Sequence, residues 1–284
     1  MQVYLDTLEA WGFTDIPEIQ LDEKIDYFEH FNDIYNDDNI ELIKDYLLAH
    51  SAETTVCYLD KDIYYGYLDL YNERVGSSGY KSDVDSAIIY TSEDLGWPLS
   101  KLYCERYVTE EDKENVYNVI TEIIDEYKLM IAEEDFLSDE TKANAIYKLD
   151  NMIIKCMYPD EWPDYSGLEL EGSLVDMYLS IYDYRRRLDV AAFNEAVDRN
   201  AWGVTPITNN AFYEPNNNSI IIMPAFVGDL LYNEDMEKEE VYAYLGSVVA
   251  HEISHGFDPT GGMYDATGNF ADWWTEEDYD AYNN

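Results

Sequence analysis

The chain has 284 residues, a length that fits one large domain or two ordinary ones. Hydrophobic residues make up 46% of it and 28 residues are tyrosine, so we expect a sizeable packed core and exclude a disordered chain. With 61 acidic against 17 basic residues, the net charge of −44 argues against binding to nucleic acid or anionic membranes, and it says nothing direct about catalysis.

Three cysteines, Cys57, Cys104 and Cys156, lie far apart and are odd in number, which predicts free or buried thiols and no disulfide framework or cysteine zinc site. The N-terminus has neither a basic nor an apolar leader segment. The longest apolar run, at about residues 220–227, is short and contains a proline, so we expect no membrane span. A cytoplasmic location is the default expectation if the printed start is the true one.

Residues 1 to about 190 are predicted to be mostly helical, because acidic and apolar residues alternate at helical spacing and glycine is scarce. The clearest helix covers about residues 110–132, with Thr109 as a plausible N-cap and carboxylates in the first turn. A second helix is predicted to start after Ser138. Its apolar face would comprise Ala145, Leu149, Met152, Ile153 and Cys156.

Residues 158–165 contain two prolines and predict an ordered loop. A further helix is expected at about residues 173–188, where three successive arginines are expected to pair with carboxylates inside the chain. Two short strands, residues 209–213 and 219–223, are separated by a turn and predict a hairpin. Its edge could bind an extended peptide, or the hairpin could simply cover the core; both interpretations fit the pattern.

The segment 248–255 contains the pattern His-Glu-x-x-His. Residues four apart share one face of a helix, so His251 and His255 can direct two imidazoles at one metal ion, and Glu252 can reach a water molecule there. This arrangement is typical of zinc peptidases. The same pattern also occurs in helices that bind no metal, but here half of the chain's four histidines lie in one turn.

The residues around this pattern predict the helix that would carry it. Asn233 is a possible N-cap, and Gly256 can end the helix. Asp258, three residues past the second histidine, could accept a hydrogen bond from its imidazole or could cap the following turn. Two tryptophans and then a helix starting at Thr275 are expected downstream. The apolar face of the predicted helix comprises Val241, Tyr244, Leu245, Val248 and Val249.

These segments together resemble the neprilysin family (M13) of zinc peptidases, most specifically from about residue 198 to residue 275. The resemblance rests on Val248-x-x-His251-Glu252-x-x-His255-Gly256-Phe257-Asp258, on Asp272-Trp273-Trp274-Thr275, and on Asn210-Ala211-Phe212-Tyr213 with Asn218, Ile220 and Pro224-Ala225. Looser similarity includes Val197-Asp198-Arg199, Trp202, Pro206, Thr141-Lys142, Ala145, Lys148-Leu149, Tyr158-Pro159 and Trp162.

The resemblance implies a mainly α fold with a small β-hairpin, in a two-lobed zincin with a thermolysin-like catalytic helix. Residues 1–195 would form an incomplete helical N-terminal lobe that restricts substrate size, and residues 196–284 would form the first, truncated part of the catalytic domain. Large folded proteins would be excluded, so peptides are the expected partners. Nothing in the sequence predicts the oligomeric state.

The same resemblance implies roles for individual residues. Zn²⁺ would be bound by His251 and His255, with Glu252 as general base. Asn210 and Ala211 would hold the substrate backbone. The pocket for the side chain after the scissile bond, usually apolar in this family, would be lined by Val248.

The sequence also departs from the family pattern. The family's third zinc ligand is a glutamate in a Glu-x-x-x-Asp helix, and it has no counterpart in the residues after His255; the later transition-state histidine and substrate-binding arginine are also missing. We therefore expect an internal fragment that alone binds zinc weakly and cleaves poorly, from a partial gene or a split protein. A non-catalytic peptide-binding protein is a further alternative, although binding alone needs no general base such as Glu252.

Overall fold

A computed structural model describes residues 2–14 and 30–283. The chain divides into two compact units, one of Met1–Asp94 with Ser166–Val197 and the other of Leu95–Tyr165 with Asp198–Asn284. Each unit is therefore assembled from two separate stretches of sequence. The predicted boundary near residue 195 separates two lobes of the family fold, not these two units, and it stays a prediction.

The first unit is built of helices in the part of the chain that the structure describes. Its longest helix, Leu174–Phe193, starts at Ser173, whose hydroxyl accepts from the backbone N–H of Asp176, while the Asp176 carboxylate accepts from the Ser173 backbone. The helix predicted at residues 173–188 is thus confirmed and continues further. The other helices of this unit are Gln2–Ala10, Phe31–Ile34, Ile40–Thr55, Lys61–Val75 and Asp83–Asp94.

Expectations about charged and thiol side chains are confirmed in part. Arg186 and Arg187 both pair with the Asp183 carboxylate, at 2.9 and 3.2 Å, whereas Arg185 donates to the backbone carbonyl of Glu93 and not to a carboxylate. All three cysteines are free thiols. Among the described residues, no helix is both long and apolar enough to cross a lipid bilayer.

The second unit combines helices with a small sheet. The predicted helix at residues 110–132 is confirmed as Glu110–Glu133, with Thr109 and Asp112 in a reciprocal capping box. Ser138 caps the next helix through the backbone N–H of Thr141. The helices of this unit are Gly96–Tyr107, Glu110–Glu133, Asp139–Asp150, Pro224–Leu231, Lys238–Val241, Ser247–Ser254 and Glu276–Asn283.

The sheet has three strands, β1 (Ile153–Cys156), β2 (Ala211–Glu214) and β3 (Ser219–Ile222), in the order β1-β3-β2. The predicted hairpin is confirmed, since β2 and β3 pair antiparallel. The prediction that Met152, Ile153 and Cys156 extend a helical face is wrong, because that helix ends at Asp150; Met152 lies between the helix and β1, and the other two residues belong to β1. Two β-branched isoleucines favour a strand there, and parallel pairing with β3 satisfies their backbone groups.

The core of the second unit lies where the sheet meets the helices. Every residue of β3 is buried, as expected for the middle strand of a covered sheet. The apolar stripe of the long helix faces the same core. The buried members of that stripe are Val116, Val119, Ile120, Ile123, Ile124 and Ile131.

The helix that carries the His-Glu-x-x-His pattern differs from its prediction at the N-terminal end. Asn233 is not its N-cap; Glu237 caps the short helix Lys238–Val241 and bonds reciprocally with Glu240. A π-helical turn, Tyr242–Gly246, then leads into Ser247–Ser254. This wider turn keeps every fourth residue on one face, so Val241, Leu245, Val249 and Ile253 are buried while the predicted core residue Tyr244 is exposed.

Candidate active site

The two histidines lie one helical turn apart, on Ser247–Ser254 and at its C-terminal cap. The Nε2 atoms of His251 and His255 are 3.2 Å apart, and their rings meet edge to face at 81°. The first side chain is exposed and the second is half-buried. The predicted pair therefore presents two accessible ring nitrogens to one point in space.

This geometry fits a zinc ion. Zinc binds imidazole nitrogen at about 2.0–2.1 Å, so two nitrogens of a tetrahedral site lie about 3.3 Å apart. The observed separation of 3.2 Å between the Nε2 atoms of His251 and His255 agrees with that value. Among the residues that the structure describes, no group of three or more His, Cys, Asp or Glu side chains is arranged to hold a metal.

Asp258 makes both of the contacts that the sequence left as alternatives, one to the His255 imidazole and one to the following turn. Its Oδ2 lies 2.7 Å from the Nδ1 of His255, while its Oδ1 accepts from the backbone N–H groups of Thr260 and Gly261. Desolvation raises the pKa of Asp258, but these hydrogen bonds outweigh it and hold the pKa below its usual range. Because an ionised carboxylate only accepts, Nδ1 of neutral His255 carries the proton and its Nε2 keeps a free lone pair.

The Glu252 side chain turns inward beside this pair and is 8% exposed. Burial raises the pKa of its carboxyl group above the usual range, while the imidazoles of His255 and His251 and a hydrogen bond with the Tyr213 backbone act in the opposite direction. Tyr213 belongs to β2, so the Glu252 carboxylate, which is carried by the ligand helix, also lies next to the hairpin. A carboxylate with a raised pKa is a stronger base than an exposed one.

The hairpin places the predicted substrate residues at the edge of the sheet. Ala211 begins β2 and pairs with Ile222, and no strand pairs with the outer edge of β2 among the described residues. Asn210 is exposed, and its Oδ1 accepts from the N–H of Ala211 at 2.9 Å. Val248, predicted to line a substrate pocket, is half-buried and packs against the core.

Two buried polar residues next to the site were not predicted to contribute to it. Lys148 is 1% exposed and donates to the carbonyls of Gly256 and Gly261, in the loop after His255. Asn218, fully buried, links the Lys148 carbonyl to the hydroxyl of Tyr213. The one signal in the sequence is that Lys148 lies on the same helix face as Ala145 and Leu149; its acceptors are backbone carbonyls, which the sequence does not mark.

Comparison with known proteins places the chain in a peptidase family. Two models of peptidase family M13 match the chain, one over residues 4–159 and the other over residues 210–284. The chain is 31% identical over 263 residues to a neutral endopeptidase of Lactococcus lactis subsp. cremoris, covering 90% of this chain and 41% of that protein. It is 26% identical over 274 residues to neprilysin-11 of Caenorhabditis elegans, covering 92% and 32% of the two chains.

Solved structures show the same fold. The crystal structure of PepO from Lactobacillus rhamnosis matches with a TM-score of 0.81 at 25% identity, covering 90% of this chain and 41% of that one. The open state of the Mycobacterium tuberculosis zinc metalloprotease Zmp1 matches with a TM-score of 0.76 at 26% identity, covering 90% and 40%. The chain thus spans less than half the length of these relatives. The two family models cover most of it, and the chain belongs to peptidase family M13.

Proposed function

We propose that this chain carries the zinc-binding helix and the substrate-binding strand of an endopeptidase that hydrolyses oligopeptides. The observation that carries the proposal is the pair of Nε2 atoms of His251 and His255 at 3.2 Å, with the buried carboxylate of Glu252 on the same turn. The relatives named neutral endopeptidase and zinc metalloprotease support this class of reaction.

Each residue of the turn has a chemical task in this proposal. His251 and His255 would hold zinc, which would supply a Lewis acid for activating water and polarising the peptide carbonyl. Glu252 takes the proton of the attacking water and delivers it to the leaving amine, a task that its burial and raised pKa favour. Asp258 holds the Nδ1 proton of His255 and so leaves the Nε2 lone pair available to hold a metal ion.

The substrate would bind as an additional strand along β2. The outer edge of β2 has no partner strand among the described residues, and backbone groups of an extended peptide can bond to such an edge. Asn210 and Ala211 stand at the start of this edge and would hold the peptide backbone. Val248, on the ligand helix, would contact an apolar side chain that follows the scissile bond.

The number of zinc ligands limits how tightly this chain alone can bind the metal. Only two imidazoles converge among the described residues, so we expect zinc to bind weakly until a third protein ligand joins them. The open edge of β2 also fits a peptide-binding protein without activity. The buried Glu252 argues against that second candidate, because burying a carboxylate costs free energy that peptide binding does not require.

The decisive experiment is Glu252→Gln in the full-length protein, with Glu126→Gln at an exposed helix position as a matched control. We expect Glu252→Gln to bind zinc as the wild type does and to lose about 10²- to 10⁴-fold in kcat/KM for an oligopeptide, because only the proton transfer is removed. The control should keep full activity. Full activity in Glu252→Gln, or wild-type cleavage that resists a zinc chelator, would contradict the proposal.

A further inference from the structure

Lys148 occupies a cation site formed by the loop that follows His255. Its Nζ lies 2.7 Å from the carbonyl oxygens of Gly256 and Gly261 and 2.6 Å from that of Tyr264. An ammonium group has three N–H donors, and here each donor has one fixed backbone acceptor. Burial lowers the pKa of Lys148 to about 8, so the group remains mostly protonated at neutral pH.

One hydrogen-bonded path runs from this ammonium to the second histidine. Gly261, whose carbonyl binds Lys148, donates its own N–H to Oδ1 of Asp258 at 2.7 Å. Oδ2 of the same carboxylate lies 2.7 Å from Nδ1 of His255. A Cβ atom at Gly261 would lie 1.8 Å from the carbonyl oxygen of His255, so the loop and the histidine backbone are in direct contact. A shift of the loop therefore reaches the imidazole.

A second path runs from the backbone of Lys148 to the glutamate. Nδ2 of Asn218 donates to the Lys148 carbonyl at 2.9 Å, and Oδ1 of Asn218 accepts from the Tyr213 hydroxyl at 2.9 Å. The backbone of Tyr213 lies next to the Glu252 carboxylate and acts to lower its pKa. Asn218 is fully buried and adopts a left-handed backbone conformation at φ 46°, so it has little freedom to move.

We propose that Lys148 is a positioning residue: its ammonium holds His255 through the Asp258 loop, and its backbone carbonyl holds the hairpin beside Glu252 through Asn218. The inference rests on the proposed function for the roles of those two residues. A buried lysine that only stabilised the fold would need hydrogen-bond acceptors, but the acceptors need not lie on segments leading to the ligand and the base. The two paths from Lys148 lead to His255 and to Glu252. Removal of the ammonium should let the Asp258 loop move.

The test uses Lys148→Met in the metal-free chain, with ¹⁵N-labelled histidine. The chain has four histidines, so the imidazole nitrogen signals are few enough to assign. At about pH 7.5, where ordinary imidazole is mostly neutral, the wild type should show His255 with its proton on Nδ1. We expect Lys148→Met to lose this single tautomer and to show a mixture, and zinc affinity to fall about 10- to 100-fold.

The matched control is Lys155→Met. Lys155 is 3% exposed in the same unit, but it donates to the carbonyl of Ala201 and to Glu214, away from the Asp258 loop. This variant should lose stability and keep the His255 tautomer. If Lys148→Met is folded and retains the Nδ1 proton, or if Lys155→Met changes the His255 signal equally, the positioning role is wrong.

A further variant covers the case in which Lys148→Met does not fold. Lys148→Gln keeps two N–H donors without the charge, and it should fold with a partial loss of the single His255 tautomer. If neither variant folds, Lys148 is a stability residue and the proposal is overturned. The tautomer needs neither metal nor activity, so a protein that fails to cleave peptides could still confirm the positioning role.

Discussion

Gly261 gives the sharpest prediction, because its substitution would act directly on a proposed ligand. A Cβ atom built there lies 1.8 Å from the carbonyl oxygen of His255, 2.9 Å from its carbonyl carbon and 3.2 Å from Cα of Gly256. These are backbone atoms, so no side-chain rotation relieves the contact. Since Cβ contacts below 3.0 Å essentially do not occur, Gly261→Ala must separate loop and helix end by at least 1.2 Å, the difference between 3.0 and 1.8 Å.

The expected cost follows from that displacement. Forcing one extra carbon into a packed site typically costs about 1–3 kcal/mol of unfolding free energy. The displaced atoms belong to His255, and a misplacement of about 1 Å can cost about 100-fold in activity, so peptide cleavage by the full-length protein should fall by that order. Urea unfolding measures the first effect, and kcat/KM for an oligopeptide measures the second.

Gly66→Ala is the control for this experiment. Gly66 is exposed inside the helix Lys61–Val75, with no atom within 4 Å of its Cβ position, so alanine there should raise the unfolding free energy by about 0.5–1 kcal/mol. If Gly261→Ala behaves like Gly66→Ala, with unchanged or higher stability and full cleavage, the close approach of the loop to His255 is wrong.

Two further predictions concern the fold around the site. Ile220→Ala, in fully buried β3, should lower the unfolding free energy by about 2–5 kcal/mol in a urea titration. Leu47→Ala, at a position 55% exposed, should change it by less than about 0.5 kcal/mol. Equal effects of the two substitutions would contradict the assigned core. Hydrogen bonds from Ser138, Thr141 and Thr275 hold the pKa of Asp278 well below its usual range, so its stabilising effect should be present above about pH 4 and lost as the pH falls further. The difference in unfolding free energy between wild type and Asp278→Asn, measured from pH 7 downward, should shrink in acid; a constant difference would refute the ionised hydrogen-bonded carboxylate.

The helices could be predicted from the sequence where local signals agree. The long helix Glu110–Glu133 has an N-cap at Thr109, acidic residues in its first turn and an apolar stripe, and each signal depends on neighbours within one or two turns. Strand β1 could not be predicted in this way. Ile153–Cys156 is a strand because it pairs with Ser219–Ile222, more than sixty residues later, and no local pattern encodes that pairing.

The ligand helix shows the same limit on a smaller scale. The sequence located His251, Glu252 and His255 correctly on one turn, because residues four apart share a face. The π turn Tyr242–Gly246 before them was not predicted; it packs against the long helix, where a Cβ at Gly246 would lie 3.4 Å from Ile123. Tyr244 was therefore assigned to the wrong face.

Polar contacts over long sequence distances were the hardest part of the site to foresee. Asp258 could be paired with His255 because only three residues separate them. The Lys148 contacts to Gly256, Gly261 and Tyr264 span more than one hundred residues and end on backbone carbonyls, which leave no trace in side-chain identity. Such contacts become visible only when the chain is folded.

The two buried lysines show how polar contacts can hold segments of this unit in defined positions. Apolar contacts around β3 tolerate small displacements, because the hydrophobic effect depends on buried area and has no direction. A buried ammonium is different, since each unpaired N–H costs free energy in a medium without water. Lys148 and Lys155 are 1% and 3% exposed, so their acceptors on the loop after His255 and on the segment before β2 must stay in place. Lys148 thus supplies directional contacts to the loop after His255, and Lys155 supplies them to the segment before β2, which the apolar core does not do.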